Sequence, residues 1–313
     1  MIKNHIVSLA FLMVGLAAFA QKTDTAKNTT SADSLFNVMN KDNKKESVIV
    51  FESPRLILTQ TNETLKKKNL NVLIIHRFGD FAGKVGGGQY FFGLDNVADV
   101  YLGLQYGLTN DLNIELGRST LPALGGLVDL QLKYAVLHQT NDNSSPIAIT
   151  ILGQTGLRPY NNFNSVGDRV SYFAQAIFAR KFSHEFSLQI APSFVRNNLP
   201  MPNLPGNSQD LFSLSASARL KVTKLMGIIV DYAHPFSSFR NGANGFSDPL
   251  GLGIQAVTGG HVFTINITNS KAVSEINYLS NTTSDFSRGQ YRIGFTISRM
   301  FDFNHKESYN PKR

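Results

Sequence analysis

Ten charged side chains are the residues best placed to do chemistry in this chain: Arg77, Asp95, Glu115, Arg118, Asp129, Lys133, Arg219, Lys221, Asp231 and Arg292. Most alternate with apolar neighbours. Over 127–136, for example, Asp129, Gln131 and Lys133 interleave with Val128, Leu130, Leu132 and Tyr134. An extended strand sends successive side chains to opposite sides. Glu115, Asp129, Lys133, Arg219, Lys221, Asp231 and Arg292 therefore share a face with Asp99, Gln105, Asn113, Gln175, Gln189, Ser213, Ser215, Ser217 and Gln255, and Asp95 and Arg118 fall on neighbouring hairpins within reach of a charge network. Both signs on one enclosed face support two outcomes: an open polar lumen without strong ion preference, or a lumen packed shut by ion pairs. Arg77, at a strand end, is placed either to clamp an anion or to anchor at a membrane interface.

Other chemistries lack their residues. The chain has no cysteine, which removes disulfides, thiolate metal sites and cysteine nucleophiles. Beyond His5 in the leader, His76, His138, His184, His234, His261 and His305 show no short metal-binding spacing. Gly86-Gly87-Gly88 lacks the Lys-Ser/Thr ending of a phosphate loop, and no Gly-x-Ser-x-Gly elbow occurs. No cofactor is expected. An outer-membrane lipid hydrolase stays as a distant alternative, with His138, His234 or His261 meeting a serine across strands.

The elements that must position these residues read as about a dozen amphipathic strands. They fall near 70–78, 97–108, 112–118, 127–138, 147–157, 169–181, 186–196, 211–222, 225–234, 250–257, 261–269 and 290–303. Tight turns at Thr109-Asn110-Asp111, Ser183-His184-Glu185, Thr223-Lys224 and Thr258-Gly259-Gly260, with a longer one over 139–146, alternate with long loops. A secreted β-sandwich has no reason to put its long loops at every second connection. The pattern predicts an all-β fold, an antiparallel up-and-down transmembrane β-barrel of about 12 strands. The last strand carries Tyr291, Ile293, Phe295, Ile297, Phe301 and Phe303 on one face, interrupted by Arg299. It is similar to the aromatic-ended strand that barrel-assembly machinery recognises.

Residues 1–20 read as a signal peptide, with an apolar run too short to span a bilayer and Ala18-Phe19-Ala20 as the cleavage pattern. Residues 21–46 read as a polar periplasmic linker, and 47–69 as short strands leading into the barrel, broken by Pro54. The barrel itself is expected over 70–303 and a polar tail over 304–313. The placement of 47–69 inside or outside the barrel is left open. Mean hydropathy is −0.10 with 42% hydrophobic residues, a balance that suits a barrel hiding its lipid face by alternation. With no tryptophan, the 23 Phe and 10 Tyr must supply any interfacial girdle. The net charge of +8 comes without a basic stripe interleaved with aromatics. Anionic lipid is therefore the expected partner, and nucleic acid is not.

Several short segments carry a family resemblance. They are 46–57, Glu63-Thr64-Leu65, His76-Arg77-Phe78-Gly79, Phe92-Gly93-Leu94-Asp95, Tyr106-Gly107-Leu108-Thr109, Gly117-Arg118-Ser119 and Lys133-Tyr134. In this order they resemble an uncharacterised family of membrane-bound β-barrel domains of Bacteroidota, labelled a domain of unknown function. The resemblance spans 46–303 and implies an outer-membrane barrel, with no activity attached. Function is expected to be that of a small passive pore or transporter for polar solutes. The alternative is a plugged structural or docking barrel with binding loops, for which Pro200, Pro202 and Pro205 in one loop supply stiffness.

Overall fold

Alternation decides the architecture. In the computed structural model, which describes residues 46–82, 85–159, 165–198 and 210–303, the strands are β1 (Asn69–Phe78), β2 (Val97–Gly107), β3 (Leu112–Ser119), β4 (Leu127–Leu137), β5 (Ala148–Leu157) and β6 (Val170–Lys181). They continue as β7 (Phe186–Arg196), β8 (Asp210–Lys221), β9 (Met226–Phe236), β10 (Leu250–Thr258), β11 (His261–Thr268) and β12 (Arg292–Asp302). Every strand pairs antiparallel with its sequence neighbours, and β12 returns to β1, so twelve strands form a closed barrel without a free edge. The expected leader, most of the linker, the Pro200–Pro205 loop and the 304–313 tail lie outside the described residues.

The faces separate cleanly. In β4, Leu130 is 47% exposed on the outside while neighbouring Gln131 is 3% exposed on the inside. β9 alternates over its full length, with Ile228, Val230 and Tyr232 outward and Ile229, Asp231 and Ala233 inward. The outside is thus an apolar surface and the inside a mixed one. Among the described residues no helix is long and apolar enough to cross a membrane.

Two chain segments enter the lumen. The first, residues 47–65, comes from the turn end. The two short strands expected there do not form: the segment makes only isolated bridges, Ser47 to Thr140 and Arg55 to Gln60. Pro54 has no N–H to donate, and the amides of Ile57, Leu58 and Thr59 bond to a side chain of the wall instead of a strand. The second comes from the loop end. The connection between β11 and β12 folds inward around a short helix, α1 (Glu275–Asn281), whose residues from Glu275 to Ser280 are all buried. Val50, Phe51, Leu56, Ile57 and Leu58 of the first segment join Ile276 and Leu279 of the second in one buried apolar cluster with Phe173, Val195 and Leu211 of the wall. Each segment seats an isoleucine against a wall glycine. A Cβ at Gly251 would lie 2.8 Å from Ile57, and one at Gly156 would lie 2.9 Å from Ile276, closer than packed carbons approach.

Candidate functional site

The inserted segments bring irregular backbone into an enclosed space, and each of its N–H and C=O groups needs a partner there. The lumen charges supply them. Asp231 accepts from the amides of Ile57 at 2.8 Å, Leu58 at 2.7 Å and Thr59 at 3.4 Å, and from the Thr59 hydroxyl at 3.2 Å. Lys133 Nζ donates to the carbonyl of Pro54 at 2.9 Å, and Arg77 donates to that of Ile57 at 3.0 Å. Arg77 also reaches the carbonyl of Ala272 in the second segment. Asp99 accepts from the amides of Val273 at 3.0 Å and Leu121 at 2.9 Å. Arg292 donates to the carbonyl of Asn269 and pairs with Asp80. A β-bulge at Arg77/Phe78 shifts the register against β2 where Arg77 turns in.

Arg55 joins all the parts. Its Nη2 donates to Leu58 O at 3.0 Å and to Val273 O at 2.7 Å, and lies 2.7 Å from Glu275 Oε1. Its guanidinium also stands 5.7 Å from the Tyr101 ring centroid. Burial opposes the charge on Arg55, but Glu275 together with Tyr101, Glu115 and Tyr278 outweighs it, and the proton is held more firmly than usual. Burial pushes the Glu275 carboxyl above the ordinary range, against the pull of Arg55. Glu63, buried where it accepts the amides of Val50 and Phe51, is pushed up by the same desolvation. At the loop end Arg158 holds Asn277 of α1 at 3.0 Å, and burial lowers it to about 10.

A second network braces the β2–β4 wall. The Tyr101 hydroxyl lies 2.7 Å from Glu115 and 2.9 Å from Asp129. Gln105 and Gln131 donate to the other Glu115 oxygen at 2.8 and 3.2 Å, and Asn71 donates to Gln105 at 2.7 Å.

Seven of the ten charges singled out from the sequence are buried in the lumen: Arg77, Glu115, Asp129, Lys133, Arg219, Asp231 and Arg292. Arg219 donates to Gln255 at 2.8 Å. Three are not brought in. Asp95 is exposed on the first long loop. Arg118 belongs to the outward series of β3 and reaches toward Gly126. Lys221 sits at the turn end within 3.2 Å of His184. The reason is parity and position: Arg118 is one residue out of phase with Glu115 and Ser119, and the other two lie at or beyond strand ends. Arg55, Glu275 and Arg158 were missed. The apolar residues Ala272, Val273, Ile276, Tyr278 and Leu279 in a long loop were the signal that this loop has an interior to fill. Among the described residues no cluster of histidine or carboxylate side chains could hold a metal ion.

Comparison with solved structures gives low-identity barrel matches. The NanC porin aligns at 10% identity with TM-score 0.47, covering 74% of this chain and 98% of that one. An outer membrane channel from Pseudomonas putida F1 aligns at 13% with TM-score 0.46, over 77% and 98%. The outer membrane protein Omp33 of Acinetobacter baumannii aligns at 9% with TM-score 0.42, over 75% and 99%. Curated protein sequences give no match. A family model described as a membrane bound beta barrel domain, DUF5777, matches residues 51–301. That match begins inside the first inserted segment and ends in the closing strand, so it takes in the barrel together with its internal contacts. The chain belongs to this family of membrane-bound beta barrel domains.

Proposed function

We propose that the protein is an outer-membrane channel for polar solutes whose lumen is closed at rest by the two inserted segments. The turn end then faces the periplasm, the loop end faces outward, and the leader over residues 1–20 directs export. The carrying observation is how the first segment is held. Three of its amides rest on one carboxylate, Asp231, and no ladder fixes it to the wall. Contacts from side chain to backbone can be exchanged for water without unravelling a strand, so this segment is the movable part. The lumen charges then serve the closure before they serve selectivity.

The second reading, a permanently plugged docking barrel, draws on the buried apolar cluster shared by both segments. A lipid hydrolase has less support: His138 faces Asp111, His234 faces Asp248 and His261 faces Arg299, and no hydrogen bond among the described residues joins a serine to any of them. Planar-bilayer recording separates channel from plug. The channel reading expects rare brief openings from the native protein and frequent ones from Asp231→Asn. A folded Asp231→Asn barrel that stays silent would favour the docking scaffold.

A further inference from the structure

The wall formed by β5–β8 meets the first segment through neutral side chains, Thr150 at the carbonyl of Asn62, Ser187 at that of Val50 and Gln189 at that of Gln60, and leaves other polar side chains unbonded. On β5–β8 the mid-lumen positions are Gln154, Gln175, Ser193, Ser213 and Ser215, with Gln189 one step toward the turn end. They form a belt that Phe173, opposite Gln154, and Leu152, opposite Gln175, interrupt between β5 and β6. Gln131 is directly opposite Gln154, Gln175 opposite Ser193, and Ser193 opposite Ser213 with their hydroxyls 2.6 Å apart. Among the inward residues of these four strands the only buried charge is Arg219, near the turn end. Both polar ends of the Gln175 side chain, Oε1 of Gln154 and Gln189, and Oγ of Ser215 are buried and have no partner among the described residues. Both ends of Gln60, carried into the lumen by the first segment, are in the same condition.

Buried amides and hydroxyls without partners are costly unless water or a solute serves them. An amide offers a donor and an acceptor side by side, and so does a sugar hydroxyl. An ion on this wall would give up its hydration and meet no counter-charge. We propose that this belt is the solute-contacting surface of the lumen and that it takes a neutral polyhydroxy solute. The inference rests on the channel reading above and adds a substrate class to it.

Swelling of proteoliposomes containing the full-length protein tests it, with a neutral hexose, gluconate and glucosamine as the three solutes. The hexose is expected to enter about tenfold faster than either charged compound, a ratio within reach of hydrogen-bond recognition. Gln154→Leu with Gln175→Leu should remove that preference, and Gln175→Lys should turn it toward gluconate. Heat-modifiable gel mobility reports whether each variant is folded. Equal entry of all three solutes, or a preference that survives both variants, overturns the belt assignment while the channel reading stands. Absence of swelling together with silent bilayers, even for Asp231→Asn, overturns the channel reading and the belt with it.

Discussion

The β1–β4 wall and the β5–β8 wall of the same barrel handle polarity in opposite ways. The first carries Arg77, Asp99 and Lys133, which bind inserted backbone, and Glu115 and Asp129, which both accept from the Tyr101 hydroxyl. The second carries glutamines and serines, several with polar atoms that have no partner among the described residues. The charged wall holds inserted backbone through charge-assisted hydrogen bonds, which survive the loss of water better than neutral ones. Under the proposed channel reading, the unpartnered neutral groups opposite are the ones left to water and solute. A polar lumen is therefore not one surface with one purpose.

The largest expected contrast lies between Asp231 and Gln175. Asp231→Ala leaves three amides and a hydroxyl without their acceptor, at about 1–3 kcal/mol for each orphaned group. It should lower the unfolding temperature sharply and expose a cysteine placed at Ile57 to labelling, which is clean because the chain has no native cysteine. Gln175→Ala removes a side chain with no hydrogen-bond partner among the described residues and should change stability by less than about 1 kcal/mol. Equal losses at the two positions would erase the distinction between a charge that holds inserted backbone and a neutral group that does not.

Next comes the contrast between inside and outside. Leu130→Arg puts a charge on the lipid face at a cost of about 2–4 kcal/mol, whereas Gln131→Arg enters a polar lumen. Assembly yield in the membrane should fall much further for the first. Smaller again is the effect of crowding a seat. Gly156→Val and Gly251→Val push against Ile276 and Ile57 respectively, and overpacking of this kind costs about 1–3 kcal/mol. Either should raise channel opening frequency while the barrel remains folded.

The smallest effect is acid sensitivity. Glu275 has its carboxyl pKa raised by burial, so it takes up a proton at higher pH than a free glutamate. The folded state binds that proton more tightly than the unfolded chain, and acidification loosens the Arg55–Glu275 pair without a stability penalty from this group. Opening frequency should rise as the pH falls into the mildly acid range, and Glu275→Gln should flatten the response.

The barrel was legible because period-two alternation and the order of long and short connections are local signals, and the observed strand ends fall within about two residues of the expected ones. The lumen was legible only in part. Inward positions such as Asp129, Lys133 and Asp231 follow from parity, but their partners are backbone atoms of segments distant in sequence, which no spacing reveals. Residues 47–65 read as strands because Val48-Ile49-Val50-Phe51 and Arg55-Leu56-Ile57-Leu58 are apolar. That apolarity instead fills the interior of the barrel. The lone Arg55 inside such a run, and an apolar stretch within a loop, are the marks of an inserted segment.

The central claim, that the first segment is the movable closure of the lumen, is tested most directly by tethering it. The hydroxyls of Thr59 and Ser217 lie 2.7 Å apart, so Thr59→Cys with Ser217→Cys places two thiols where a disulfide can join segment to wall. Bilayer recording of this double variant under oxidising and then reducing conditions is predicted to show a silent oxidised barrel and openings that return on reduction. Identical behaviour in both states, silent or conducting, would contradict the claim.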